Sequence, residues 1–161
     1  MAKYVLNTGN DELQFVLFGI TCGEDQYRLV SLINDVLNIN LILSDYLPLT
    51  TKGERVFKFS LFKYADEDLR LEFNLIPNNS NFEEPNLSLS QSDDLFSGLN
   101  LDESSKLIKE LPKTDYFLLL KGDETHLYQF KIIEKLKSIP EIIQIQNIEP
   151  QELSSKRNLI F

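Results

Sequence analysis

Thr114-Asp115-Tyr116-Phe117-Leu118-Leu119-Leu120-Lys121-Gly122, TDYFLLLKG, holds five consecutive apolar residues with no polar one between them. Side chains on a strand point alternately to opposite faces. Tyr116, Leu118 and Leu120 therefore take one face, and Phe117 and Leu119 the other. Residues 13–20, LQFVLFGI, read the same way, with Phe15 and Leu17 opposed to Val16, Phe18 and Ile20. A strand with no polar face belongs in the middle of a sheet covered on both sides. These two segments are expected as the central strands, with helices over one face.

The helix-free face then needs a cover too, because a monomer rarely exposes an apolar patch larger than a few hundred Å². Three covers are available. One is the tail at 150–161, which ends KRNLIF with Leu159, Ile160 and Phe161. The second is the apolar set from Phe82 to Leu99, and the third is another polypeptide. The tail is the expected one, since burying such side chains is worth roughly 1.5–3 kcal/mol each before entropy costs.

EDQYRLVSLINDVLNI (24–39) places Leu29, Ile33 and Val36, with Val30 and Leu37 beside them, at helical spacing, and Glu24 and Asp25 sit where a helix N-terminus favours negative charge. In DETHLYQFKIIEKLKSI (123–139), Leu127, Phe130 and Ile133 make one row and Tyr128, Ile132 and Leu136 another. Asp123 and Glu124 open this helix, and Lys135 and Lys137 close it. LILSDYLPL (41–49) reads as a weaker extended segment broken at Pro48, and IIQIQNI (142–148) as a last strand. ERVFKFSLFKY and LRLEFNLI flank ADED (65–68) as a hairpin. Aligning Phe57, Phe59 and Leu61 with Leu69, Leu71, Phe73 and Leu75 predicts opposed positions whose numbers sum to an even value, each strand burying one side and wetting the other.

Residues 78–100 form an acidic, Asn- and Ser-rich excursion, with no Lys or Arg anywhere between 71 and 105. The order β-α-(β)-β-β-[excursion]-β-α-β, over 1–161 as one domain, predicts an α+β sandwich. Its sheet is mainly antiparallel, two helices pack on one face, and the arrangement is ferredoxin-like.

Sixteen Lys and Arg against 25 Asp and Glu leave a net charge of −9. That disfavours nucleic-acid backbones and anionic membrane surfaces. One cysteine and no apolar leader predict a reducing, cytoplasmic setting. No phosphate-cradling glycine loop, HExxH, CxxC or GxSxG is present, so no catalytic residue, metal or cofactor is expected. Cys22 and His126, each near a helix start, are the only thiol–imidazole pair available, and they act together only if those starts converge. Asp66-Glu67-Asp68 reads as a solvated turn rather than a cation site.

LIKELPKTDYFLLLKG (107–122) resembles the signature of the bacterial IPExxxVDY family, read here as Ile108-Lys109-Glu110-Leu111-Pro112-Lys113-Thr114-Asp115-Tyr116. Lys109 stands where that pattern has Pro, and Thr114 where it has Val. FVLFGI and SSKRNLIF are also similar to that family's start and end. The resemblance implies a small cytoplasmic protein and carries no reaction, cofactor or partner. The missing Pro leaves 101–111 open between a short helix and an extended entry.

The expected function is a non-enzymatic protein-binding or adaptor module, with a protein partner or self-association. Its expected surface is the helix-free side of the central strands, taken as Val16, Phe18, Phe117 and Leu119, with Asp94, Leu95 and Phe96 of the excursion and Ile160 and Phe161 of the tail. The alternative is a small-metabolite-binding regulatory domain, bound at a homodimer interface.

Overall fold

The computed structural model describes residues 15–51, 54–80, 83–84 and 105–161. The chain runs β1 (Phe15–Cys22), α1 (Gln26–Leu37), β2 (Ile42–Thr50), β3 (Val56–Asp66), β4 (Leu71–Pro77), then the short β5 (Asn79–Ser80), β6 (Glu83–Glu84) and β7 (Ser105–Lys106). It continues through β8 (Tyr116–Lys121), α2 (Thr125–Lys137) and β9 (Ile142–Ile148) to two 3-10 turns, Pro150–Glu152 and Lys156–Leu159. The main sheet is antiparallel, in the order β2-β3-β4-β8-β1-β9, with β6 added against β3. Its β4-β8-β1-β9 part, with α1 and α2 as crossovers, has the ferredoxin-like order. The β2–β3 hairpin is inserted into the first crossover and widens the sheet.

Both doubly apolar strands sit in the interior of the sheet. β8 lies between β4 and β1, and β1 between β8 and β9. Alternation divides their side chains between two cores. Phe18, Ile20, Leu118 and Leu120 pack under the helices with Leu29, Ile33, Ile132 and Leu136. Leu17, Phe117 and Leu119 pack on the other side. α1 begins at Asp25, whose Oδ1 accepts from the N–H groups of Tyr27 and Arg28 at 2.9 and 3.1 Å. It ends at Asn38, in the left-handed region at φ 54°.

The cover of the helix-free side is the chain itself. Leu107, Ile108, Leu153 and Leu159 are buried there against Phe57, Phe59, Phe117 and Leu119. The tail supplies only part of it, through Leu153 and Leu159, while Ile160 and Phe161 each stay 39% exposed. The Phe161 ring lies 4.3 Å from Lys121 Nζ, and that Nζ donates to the Phe161 main-chain oxygen at 3.4 Å. The other part of the cover comes from 105–111, which enters extended as β7 and then turns, so the helical alternative for this segment is not adopted. Residues 85–104 lie outside the described residues, as do Phe82 and Asp94-Leu95-Phe96.

Three expectations need correction. In the hairpin Phe62 pairs with Leu75 and Tyr64 with Phe73, so opposed numbers sum to an odd value. Even-sum matching brings Phe57, Phe59 and Leu61 together with Leu71, Phe73 and Leu75, but the two sets serve opposite cores. Phe62 and Tyr64 complete the helix-side row instead. The turn is correspondingly shifted from 65–68 to 67–70, with Arg70 at φ 52°. The wet side of the hairpin is confined to its turn end, where Ala65 is exposed and Lys63 and Glu72 half-buried, while Ser60 and Asn74 farther along are buried. Finally, β2 runs unbroken through Pro48, which an edge strand tolerates because its outer side makes no ladder.

Candidate functional site

The two edges of the sheet are built differently. β2 carries a register shift between Leu43 and Asp45, the Tyr46 N–H donates to Asp45 Oδ1 at 2.8 Å, and Pro48 has no N–H. Two positions of that edge therefore cannot donate to an incoming strand, which is a common way of protecting a sheet edge. β9, IIQIQNI, has no Pro and no charge. Its register shifts opposite Thr21–Cys22, and the displaced Ile143 is 76% exposed. α2 packs against both β9 and β1. It buries Ile132 and Leu136 and leaves Phe130 72% and Leu127 59% exposed. Helical spacing places Leu127, Phe130, Glu134 and Lys137 along the outermost line of the helix. None of these charged groups makes an ion pair among the described residues. This edge and its adjoining helix expose Leu127, Phe130 and Ile143, as the β2 edge exposes Ile42, Leu43 and Tyr46.

A second feature is a cleft of about 750 Å³ where β1 ends, α1 begins and β8 starts. Cys22, Tyr27, Lys58, Ser60, Asp115 and Tyr116 are among its walls. Ser60 is only 8% exposed, and its hydroxyl makes no hydrogen bond to any described residue. Asp115 Oδ2 accepts the Cys22 N–H at 2.9 Å, and Tyr116 Oη donates to Glu24 O at 2.6 Å. Burial pushes the Tyr116 phenol up from 10.0 to about 12. Raising this pKa means that the folded state holds the proton more tightly than the unfolded one. The resulting stability is fully present below pH 10 and is lost as pH rises through the folded value. Urea unfolding at several values between about pH 9 and 11 should show stability falling more steeply in the wild type than in Tyr116→Phe.

Burial also raises the Cys22 thiol, which leaves little reactive thiolate at neutral pH. A thiol reagent should therefore modify native Cys22 at least about tenfold more slowly than the urea-unfolded chain. His126 is not its partner. β1 and β8 are antiparallel, so α1 and α2 start at opposite ends of the sheet, roughly 25 Å apart over the eight residues of β1. Asp66-Glu67-Asp68 lies at the hairpin turn, where Asp66 Oδ1 accepts the Leu69 N–H at 3.0 Å. Among the described residues no three of His, Cys, Asp and Glu are grouped to hold a metal.

The sequence-selected residues fall in different places. Phe18 is fully buried under the helices and Val16 packs on the same core, whereas Phe117 and Leu119 are fully buried on the opposite face. The four do not share a surface, because Phe18 pairs with Leu118 rather than with Phe117. Ile160 and Phe161 rim the cover.

Sequence reasoning missed Asn78. This fully buried residue donates from Nδ2 to Leu111 O at 3.0 Å and Thr114 O at 2.9 Å, and its Oδ1 accepts from the Ile108 N–H at 2.8 Å. Its surroundings, Pro77-Asn78-Asn79-Ser80-Asn81, do not set it apart from its neighbours. The signature-like residues have structural work. Ile108 is buried, Asp115 and Tyr116 tie β8 to the β1–α1 loop, and Glu110 Oε1 accepts the Ser155 N–H at 2.6 Å. Burial opposes ionisation of Glu110, but hydrogen bonds from its own main chain and from Ser155 and Ser154 hold the carboxyl below its ordinary value.

Comparison with family models, curated proteins and solved structures gives no match. No helix among the described residues is long and apolar enough to cross a membrane.

Proposed function

We propose that the protein is a non-enzymatic protein-binding module, and that its interaction surface is the β9 edge with the outer face of α2. The observation that carries this is the exposure of Leu127, Phe130 and Ile143 on two adjacent elements, beside an edge without Pro or charge. Large apolar groups clustered at an open edge are where polypeptide partners dock. The central strands do not serve this role, because residues of the same chain already enclose them. Membership of the IPExxxVDY family belongs to the same proposal, supported by the retained Ile108, Glu110, Asp115 and Tyr116.

Affinity capture with wild-type protein and with Phe130→Glu and Ile143→Lys tests the reading. Both positions are exposed, so the fold should persist. The expected result is a polypeptide, a second copy of this chain included, retained by wild type and lost with both variants. Equal retention by all three, or no retention, overturns it. A second reading, a small-metabolite site in the cleft, rests on the unpartnered Ser60 hydroxyl and on a volume within the range of about 300–1,000 Å³ usual for ligand pockets. A metabolite screen separates the two, since a dose-dependent rise in Tm that Ser60→Val abolishes supports the cleft.

A further inference from the structure

We infer that the cleft where β1 ends and α1 and β8 begin binds a small organic cation, a protonated amine or a guanidine. The inference rests on the second reading above, the cleft as a ligand site, and adds the ligand's chemical class. The cleft of about 750 Å³ adjoins one of about 400 Å³, and Gln26, Tyr27, Lys58 and Ser60 line both. On β2, Tyr46 pairs with Ser60 and lines the smaller space.

The charge of the lining selects the class. Glu24, Asp25 and Asp115 bring three carboxylates against the one ammonium of Lys58. None of the three makes an ion pair among the described residues, and Arg28, on the first turn of α1, pairs with Glu141 at 3.6 Å. Burial raises the Tyr116 phenol most, and Cys22, Asp25, Asp115 and Glu24 raise it further, as an anionic pocket does. An anion is disfavoured, since the Tyr27 and Arg28 N–H groups at the start of α1 are already held by Asp25 Oδ1. A bare metal ion fits no better, because no three of His, Cys, Asp and Glu among the described residues are grouped to hold one. Carboxylates that cannot close on a single ion suit a larger cation with several N–H donors.

Ser60 points to a ligand independently of the charges. It lies on the helix-side row of β3 with Phe62, is 8% exposed, and its hydroxyl has no partner among the described residues. Ser80, also on the wall, donates its hydroxyl to Lys58 O at 2.5 Å. Buried hydroxyls are normally matched, and an N–H donated to Ser60 Oγ by the ligand matches this one. Tyr27 and Tyr46 add half-exposed aromatic rings, whose faces attract cations. The Tyr27 ring is held edge-on to Phe62, 5.8 Å away.

Titration of the full chain followed by amide NMR shifts tests this, at about 150 mM salt to screen diffuse attraction. The probes are 1,4-diaminobutane and agmatine as cations, 1,4-butanediol as the neutral control and succinate as the anion. The expected result is a saturable shift of amides at 22–27, 58–60 and 115–116 with the two cations alone. Glu24→Gln and Asp115→Asn should each weaken binding about fivefold and Ser60→Ala about tenfold. Glu67→Gln, at the turn end of the hairpin, should leave it unchanged. Shifts spread over the acidic surface, or cleft shifts indifferent to Glu24→Gln and Ser60→Ala, overturn the inference. Succinate or butanediol held in the cleft through Ser60 overturns the cation and leaves the cleft reading standing. No cleft shift with any probe overturns the inference, and if the metabolite screen also gives no Ser60-dependent rise in Tm, the cleft reading falls with it.

Discussion

Asn78→Ala should lower the unfolding free energy by about 3–4 kcal/mol, the largest loss expected from any single polar truncation in this chain. The side chain is fully buried and satisfies three main-chain groups, Leu111 O, Thr114 O and the Ile108 N–H. The main chain of Asn78 adds two more bonds, donating to Asp115 O at 2.8 Å and accepting from the Leu107 N–H at 2.9 Å. Alanine keeps those two and abandons the other three partners inside the protein, where an unmet polar group costs about 1–3 kcal/mol. Asn78→Asp should be nearly as harmful, since it removes both Nδ2 donors and buries a charge. Urea titration read by circular dichroism gives the number, and a loss under about 1 kcal/mol would show that the 105–114 segment does not depend on this residue.

Leu159→Ala should cost about 2–4 kcal/mol. Leu159 is fully buried with Leu153, Leu107 and Ile108 on the helix-free face, and alanine leaves a cavity that a layer of turns closes poorly. Hydrogen exchange adds a spatial readout. Amides of 105–111 and 150–161 should lose protection while those of α1 and α2 keep theirs. Uniform loss of protection would mean that the cover and the helical layer unfold as one unit.

Much of the architecture was legible because it rests on local alternation. Phe117 and Leu119 against Leu118 and Leu120 announce an interior strand, and the rows of α1 and α2 announce helices on a sheet. The need for a second cover followed from the same residues. What failed were the inferences requiring knowledge of which face meets which. The hairpin register was misassigned because Phe57–Leu61 and Leu71–Leu75 each look like a single buried face, and nothing local says that they serve different cores. Phe18 and Phe117 were grouped for the same reason. The roles of Asn78, and of Ser60 facing the cleft, depend on residues 30 or more positions away or on another element. The exposed row of α2 was visible as a row, but its exposure was not, since two apolar stripes on one helix leave the choice to packing.

The layer opposite the helices is assembled from segments some fifty residues apart, joined by the Asn158 Nδ2 bond to Leu107 O at 2.7 Å. During folding, a chain that has paired β3, β4, β8 and β1 covers Phe59 and Phe117 only in part, with Leu107 and Ile108, until Leu153 and Leu159 dock. A folding chain of this design passes through a sticky, half-clad state before its last covering segment docks, when a chaperone's grip matters most.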